Sequence, residues 1–247
     1  MYLRGRRFQP TSEPPRLTLK RTAGYCAAIF LGLVILKLFA MGIVRSPFAS
    51  PPLPTRSAQS YAAEGQAFFD SGDMNKAIQA YENAVRVSPT NARNWEELAR
   101  ILTYSSEMIL GSPEKINQLK QALASIDQAC ALDPEFGTNF AIRALVLDWS
   151  ANPNLVDEAT REDLLDEAYR SSVRALQLDP NNPLALAFQA EVLVDQANWT
   201  LALDIGARAA DLAPNIMDVH RAYAYVLESN AYYRSLVANQ QIIIPGK

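Results

Sequence analysis

A five-residue phrase recurs four times in the chain, each time at the end of a helix-forming segment. The copies read VSPTN at 87–91, LDPEF at 132–136, LDPNN at 178–182 and LAPNI at 212–216. A proline cannot continue a helix and is common just after a helix ends. The chain is therefore built from a repeated unit, and a unit of this size cannot bury its apolar face alone. We expect an all-α structure in which successive units stack on one another.

Within each unit, small and aromatic side chains fall on two helical stripes that a short turn separates. In the first unit the stripe residues and the closing proline are Tyr61, Gly65, Phe68, Ala77, Tyr81, Ala84 and Pro89. This pattern resembles the tetratricopeptide repeat (TPR), in which two antiparallel helices occupy 34 residues. The resemblance implies a TPR-type α-solenoid of antiparallel helix pairs. It places units at about 58–91, 92–136, 137–182, 183–216 and 217–247 within a TPR domain at 58–247.

The second and third units are longer than the family period. Pro180 and Pro214 are 34 residues apart, but 45 residues separate Pro89 from Pro134 and 46 separate Pro134 from Pro180. We expect the additional residues between the two helices of each long unit, with Ser112 as a helix N-cap before Pro113. These additional residues are either a tolerated insertion without a role in binding or a ridge that contacts a partner.

The last two units depart from the pattern in other ways. Gly206 stands where the fourth unit should carry a large residue, which either loosens the packing or lets another side chain fill the space. In the fifth unit His220 occupies an aromatic slot of the first helix, and we expect a packing role for it. A second helix should begin near Ala231, although it lacks the Ala pair of the other units. Its apolar composition suggests packing on the fourth unit, dimerisation or contact with a partner.

The N-terminal part differs in character from the repeats. Residues 1–22 form a polar, basic arm that we expect to be disordered, and 45–57 form a proline-rich spacer. Between them, residues 23–44 contain one charge, Lys37, and as a helix they are long enough to span a bilayer. Basic residues are concentrated before this span, which predicts a cytoplasmic N-terminus and a TPR domain on the non-cytoplasmic side of the cell membrane. The alternative is a cleaved signal peptide and a secreted protein.

Charge and composition exclude several functional classes. Residues 57–247 have a net charge of −11, so nucleic acid is not an expected partner. We find no nucleophile motif, phosphate-binding loop or metal-type spacing of His and Cys. We therefore expect no enzyme activity, no cofactor and no metal.

The resemblance also indicates where a partner would bind. In the family, the first helix of each pair lines a concave groove that holds extended peptides or partner helices. Carried over to this sequence, the exposed groove residues would be Phe69, Arg93, Arg100, Tyr104, Trp149, Glu191, Arg221 and Tyr225. Aromatic and Arg side chains often dominate binding energy. The alternative for Phe69, Tyr104 and Trp149 is a place in the core between repeats.

Two functional hypotheses remain from the sequence. The first is a membrane-anchored scaffold that binds a protein or peptide through the groove, with residues 23–44 in the membrane. The second is a structural subunit that self-associates through its C-terminal helices within a larger membrane assembly.

Overall fold

The computed structural model describes residues 19–41 and 56–243, which are helical apart from short turns and caps. The chain divides into two compact units, Met1–Thr55 and Arg56–Lys247. The described residues contain no strand, and their helices are α1 (Leu19–Ala40), α2 (Ala58–Asp70), α3 (Met74–Val87), α4 (Ala92–Ser106), α5 (Ser112–Leu132), α6 (Gly137–Ser150), α7 (Glu158–Leu178), α8 (Pro183–Asp195), α9 (Trp199–Leu212) and α10 (Met217–Ile243). The prediction of an all-α fold is confirmed.

The first unit contributes one described helix, α1. Its stretch Lys20–Leu38 is long and apolar enough to cross a membrane, and a signal sequence has the same features. Large apolar side chains on α1, such as Ile29 and Phe30, are exposed within the unit. Most of the predicted arm and nearly all of the proline-rich spacer lie outside the described residues.

The second unit is a stack of antiparallel helix pairs. The helices α2 and α3 pack against each other, as do α4 and α5, α6 and α7, and α8 and α9. Each pair packs on the next, and α8 and α9 also contact α10. We call α2, α4, α6, α8 and α10 the first helices and α3, α5, α7 and α9 the second helices.

Alanine pairs let the helices of each unit approach closely. Each of the four second helices carries two alanines that are 0% exposed. They are Ala77 and Ala84, Ala122 and Ala129, Ala168 and Ala175, and Ala202 and Ala209. A methyl side chain leaves little distance between two helix backbones, and packing in such interiors is dense. These positions are the alanine slots of the repeat pattern, which explains why the pattern requires a small residue there.

The recurring proline phrase ends each second helix in the same way. The helices α3, α5, α7 and α9 are capped by Ser88, Asp133, Asp179 and Ala213. In each case the backbone N–H of the cap residue donates to the carbonyl of the second buried alanine, four residues earlier. The proline follows directly, so the chain turns and begins the next unit.

The two long units place much of their additional length in their second helices. Both α5 and α7 have 21 residues, whereas α3 and α9 have 14. Longer loops, at 107–111 and 151–157, precede them. The predicted N-cap at Ser112 is wrong: Gly111 occupies that position, and Ser112 and Pro113 are already helical. Pro113 has no backbone N–H, so the start of α5 has one donor fewer that needs an acceptor, and Gly111 provides no side-chain cap.

The fifth unit is a single helix. We expect a second helix near Ala231, but α10 continues from Met217 to Ile243 without a turn. Residues 228–234 contain no Gly, Pro or aspartate to break the helix. The first part of α10 is buried through Val219, Ala222 and Val226, and the ring of Tyr233 stacks on Trp199 with centroids 5.2 Å apart.

An aromatic ring fills the space that Gly206 leaves. A Cβ atom on Gly206 would lie 2.8 Å from Cδ2 of Tyr223 on α10. The same relation occurs in the first unit, where a Cβ on Gly65 would lie 2.5 Å from Cδ2 of Tyr81. Of the two expectations for Gly206, the structure therefore supports the one in which another side chain fills in.

Candidate functional site

Three predicted groove residues from successive first helices form one aromatic row. The ring centroids of Phe69 and Tyr104 are 6.1 Å apart, and those of Tyr104 and Trp149 are 5.5 Å apart in an edge-on arrangement. These distances lie in the range of direct aromatic contact. We call the side of the first helices that carries this row the groove face. Phe69 belongs to the buried core, and Tyr104 and Trp149 pack against it.

Arg100 connects the groove face of α4 to the start of α10. Its Nη2 atom lies 2.7 Å from Oε2 of Glu97, and its Nη1 atom lies 3.1 Å from Oδ2 of Asp218. The guanidinium also lies 4.5 Å from the ring centroid of Phe69. Arg100 is 9% exposed and Asp218 is 6% exposed. The second and fifth units are thus joined across the groove face by a buried ion pair.

Arg221 on α10 fills the next part of the same face. Its Nη2 atom lies 2.7 Å from Oε1 of Glu191, which is 1% exposed. The guanidinium also faces the rings of Tyr104 and Trp149, at 5.3 and 5.2 Å from their centroids. Aromatic faces attract cations, and a buried carboxylate needs an opposite charge. Arg221 therefore supports the packing of three first helices at once.

The structure corrects the expectation that all eight groove residues are exposed. Phe69, Arg100 and Glu191 are buried, so a partner does not reach them in this conformation. Arg93 is exposed but lies apart from the row, 4.9 Å from the ring centroid of Phe136. Arg100 and Glu191 are buried because α10 comes close to α4 and α8, so that Arg100 pairs with Asp218 and Glu191 pairs with Arg221.

Beyond Trp149 the groove face opens into a cavity of about 500 Å³. Side chains of α6, α8 and α10 line it, together with Glu107 after α4, the loop 151–153 and Arg161 from α7. Of the predicted groove residues, Trp149, Glu191, Arg221 and Tyr225 lie on its walls. The hydroxyl of Tyr225 donates to Oδ1 of Asp195 across 2.8 Å.

Two buried aspartates dominate the electrostatics of this cavity. Asp148 is 5% exposed, and its Oδ1 atom has no hydrogen-bond partner among the described residues. Burial raises the pKa of Asp148 well above its usual range, and the charges of Asp195 and Glu191 raise it further. Burial also raises the pKa of Asp195, although the hydrogen bond from Tyr225 lowers it. The two carboxyl groups therefore hold a proton more tightly than free aspartates do.

The sequence contained a signal for Asp148 that the list of groove residues missed. When Phe140, Ala144 and Leu147 are aligned with Tyr61, Gly65 and Phe68 of the first unit, Asp148 falls on the slot of Phe69. Burial of a carboxylate in a slot that is apolar in the first unit costs free energy, which indicates a role for Asp148 in a functional site.

His220 has a structural contact that matches its repeat position. Its Nε2 atom lies 2.7 Å from the carbonyl oxygen of Pro214, six residues earlier. Trp95 in the second unit makes the equivalent contact, with Nε1 donating to the carbonyl of Pro89 across 2.8 Å. His220 thus takes the place of the aromatic residue that starts a unit. Among residues 19–41 and 56–243 no group of three His, Cys, Asp or Glu is arranged to hold a metal ion.

Comparison with known proteins supports the repeat assignment. A family model described as "TPR repeat" matches residues 65–102, which span the C-terminal part of α2, all of α3 and most of α4. The comparison with curated protein sequences finds no match. A thermophilic TPR protein from Thermus thermophilus has a similar structure, with 20% identity, a TM-score of 0.56, and coverage of 84% of this chain and 96% of that chain.

Two further solved structures show weaker likeness. MamA protein has 15% identity and a TM-score of 0.42, with coverage of 74% of this chain and 88% of that one. YrrB, a TPR protein with an unusual peptide-binding site, has 21% identity and a TM-score of 0.42, with coverage of 67% and 73%. Residues 65–102 thus match the tetratricopeptide repeat family, and the helix pairs around them continue a tetratricopeptide repeat fold.

Proposed function

We propose that this chain is a membrane-anchored scaffold that binds a protein partner on the groove face and performs no chemistry of its own. Stacked repeats present extended surfaces that serve in binding. The observation that carries the proposal is the cavity on the groove face, where a buried carboxyl group with one unpartnered oxygen and two aromatic side chains lie together. Concave sites with a few converging polar groups are the usual places of recognition.

The anchor in this proposal is residues 23–44, which include most of α1. The exposed apolar side chains of α1 support it, because the apolar stretch of this helix is not buried in the described part of the chain. The basic residues before the span favour a cytoplasmic N-terminus and repeats on the opposite side. The mass of the mature protein tests the anchor against a cleaved signal. Loss of the first fifty or so residues contradicts it, and a reporter fused to the C-terminus tests the orientation.

A pair of matched substitutions tests binding at the cavity. Ala224 on α10 is exposed and lines the cavity, whereas Ala63 on α2 is exposed elsewhere. The full-length chain in detergent micelles first captures a partner, which is identified and purified. We expect Ala224→Arg to abolish binding of that partner and Ala63→Arg to retain it, with equal thermal stability of the two variants. Unchanged binding by Ala224→Arg contradicts the proposal.

The second candidate function, a self-associating subunit, is favoured by the C-terminal part of α10. Tyr232 is 66% exposed and Leu236 is 42% exposed, so large apolar side chains face solvent there. Light scattering of the full-length chain in micelles measures the oligomeric state. An oligomer that Tyr232→Ser with Leu236→Ser converts to a monomer supports this function, provided Leu212→Ser, at another exposed position, has no effect. A monomeric wild-type chain contradicts it.

A further inference from the structure

The lining of the cavity on the groove face contains more acidic than basic side chains, although Glu107 also pairs with Lys115 outside the lining at 2.9 Å. Five carboxyl groups line it, from Glu107, Asp148, Glu191, Asp195 and Glu228, against the two guanidinium groups of Arg161 and Arg221. Glu107 and Glu228 lie at the exposed rim, and the other three lie deeper. A ligand that enters this cavity therefore meets acidic groups both at the rim and at depth.

Both guanidinium groups have nearer partners than the two aspartate carboxyl groups, although Arg221 attracts Asp148 and Arg161 attracts Asp195 electrostatically. Arg221 pairs with Glu191 at 2.7 Å. Arg161 donates through Nη2 to the backbone carbonyl of Asp195 at 2.9 Å, and its Nη1 atom lies 3.5 Å from Glu158. Within residues 56–243 no side chain forms an ion pair with the carboxyl group of Asp148 or Asp195. The carboxyl groups of these two aspartates are therefore the deep acidic groups of the cavity that lack an ion-pair partner within residues 56–243.

The burial of Asp148 and its unpartnered oxygen indicate a ligand-binding site and not a solvated acidic patch. It is 5% exposed, and its Oδ1 atom is buried without a partner in the described part of the chain. An unpaired buried polar atom costs about 1–3 kcal/mol, and a charged one costs more. Such a cost is offset when a bound cation donates to the free oxygen.

The walls on either side of the aspartates are aromatic. Trp149 directly follows Asp148 on α6, and Tyr225 on α10 holds Asp195 through its hydroxyl group. Aromatic faces attract organic cations, and this attraction adds to that of the carboxylates. The combination selects an organic cation over a metal ion, which requires several oxygen ligands in a fixed geometry.

We infer that the cavity binds an alkylammonium or guanidinium group, supplied by a lysine or arginine side chain of the partner polypeptide. The inference rests on the proposed function, because it names the chemistry of the group that the scaffold recognises. The open rim at Pro153, Ala224 and Glu228 lets a side chain enter from a polypeptide that lies outside. Its positive end then reaches Asp148 and Asp195, with its methylene groups against Trp149.

Binding of this cation is linked to pH. The raised pKa values of Asp148 and Asp195 favour the protonated forms in the empty cavity, whereas a bound cation favours the ionised forms. The proton leaves on binding, so affinity rises as the pH rises through the raised pKa of the pair. The charged and titratable groups that face the pair are Glu107 after α4, Arg161 on α7, Glu191 on α8, and Arg221, Tyr225 and Glu228 on α10.

Isothermal titration of the full-length chain in micelles tests the inference with defined probes. The probes are acetyl-Gly-Lys-Gly-amide, its arginine analogue, the neutral glutamine analogue and the free diamine cadaverine. We expect the lysine or arginine peptide to bind, with an enthalpy that depends on the buffer because a proton is released. The glutamine peptide should bind at least roughly tenfold more weakly.

Three substitutions sharpen the test. Asp148→Asn should weaken binding of the cationic peptide roughly tenfold or more and remove the buffer dependence. Glu228→Gln, at the exposed rim, should weaken binding of the cationic peptide less. It still tests the role of the cavity's acidic groups if Asp148→Asn does not fold. Asp211→Asn changes an exposed acid on α9 outside the cavity and should leave binding unchanged.

The outcomes separate this inference from the proposed function. No binding of either cationic peptide, or equal binding by Asp148→Asn, overturns the inference. Tighter binding of cadaverine than of the peptides overturns the assignment to a partner side chain in favour of a free diamine. If the cationic peptides fail while Ala224→Arg still abolishes partner capture, the proposed function stands without the inference. If the peptides bind while Ala224→Arg still captures the partner, the proposed function fails and the cation site stands alone.

Discussion

The guanidinium of Arg100 lies 3.1 Å from the carboxylate of Asp218, although 118 residues separate the two in the sequence. Neighbouring repeats account for most contacts in a stack of this kind. This contact joins the second unit to the fifth and lies in the interior of the groove face. It fixes how closely the first helices converge and therefore which predicted groove residues remain accessible.

Replacement of Asp218 by Ala should destabilise the stack in two distant units. Removal of a carboxylate that accepts from a buried guanidinium costs about 2 kcal/mol, because Glu97 remains as a partner. Chemical denaturation of the full-length chain in micelles measures this loss. Hydrogen exchange should also become faster in α4, which does not neighbour α10 in the sequence.

A double-mutant cycle supplies the control for this contact. The coupling between Arg100→Met and Asp218→Ala should exceed about 1 kcal/mol. Asp211→Asn, an exposed change, should leave both the denaturation midpoint and the exchange of α4 unaltered. Additive effects of the two substitutions contradict the direct ion pair.

Substitution of Gly65 by Ala should force apart the first helix pair. The new Cβ would lie 2.5 Å from the ring of Tyr81, which is 3% exposed and cannot move into solvent. Overpacking of this kind costs about 1–3 kcal/mol. Thermal denaturation should show a lower midpoint. In a Tyr81→Leu background Gly65→Ala should cost less, and an equal cost in both backgrounds contradicts the steric explanation.

The turns of the first and fourth units have the same left-handed backbone, so replacing Ala by Gly in one and Gly by Ala in the other should have opposite effects on stability. Gly72 has a φ angle of 80°, and Ala197 occupies the equivalent turn with a φ angle of 61°. An L-residue with a side chain is strained by about 1–2 kcal/mol in this left-handed region. Ala197→Gly should therefore raise the unfolding free energy by up to about 1 kcal/mol, since Gly also adds entropy to the unfolded chain.

Gly72→Ala is the matched reverse experiment. A Cβ at Gly72 would meet no heavy atom within 4 Å, so the substitution measures backbone strain without a clash. It should lower the thermal midpoint. A higher midpoint for Gly72→Ala, or a lower one for Ala197→Gly, contradicts the strain assignment.

Glu96 should make the stability of the protein depend on pH. Burial raises the pKa of Glu96 from 4.5 to about 7, and the neighbouring charge of Glu97 adds to the effect. The folded chain therefore holds an additional proton between these two values. The stabilising contribution is fully present below pH 4.5 and is lost as the pH rises through about 7. Ionisation of Glu96 costs the folded state about 3 kcal/mol at high pH.

Glu96→Gln removes this cost. We expect the variant to be more stable than the wild type at about pH 8 and similar to it at about pH 4. Urea denaturation at both pH values measures the difference. Glu82→Gln on α3 serves as control, because Glu82 is exposed. A parallel pH dependence of Glu96→Gln and the wild type contradicts the raised pKa.

Local sequence signals predicted the repeat architecture because each of them acts within one or two helix pairs. The alanine slots, the closing prolines and the long second and third units depend on steric and hydrogen-bonding rules that operate over a few residues. The small residue at Gly65 and its aromatic neighbour Tyr81 were both part of the pattern, and the structure places them in contact.

The accessibility of the groove residues could not be predicted in the same way. Arg100 is buried where α10 brings Asp218 to it, and no local pattern in the sequence encodes how closely α10 approaches α4. The continuous α10 was missed for a related reason. A family pattern predicts a turn near Ala231, but residues 228–234 contain no Gly or Pro that would interrupt the helix.

The long separation of Arg100 and Asp218 also has a consequence for synthesis. During translation, Arg100 and the ring of Phe69 leave the ribosome well before Asp218, which follows Arg100 by 118 positions. The nascent second repeat carries a guanidinium whose distant carboxylate does not yet exist. The buried ion pair with Asp218 therefore forms only after the last helix has been synthesised, so a chain that stops before Asp218 lacks a contact of its second unit as well as its last helix.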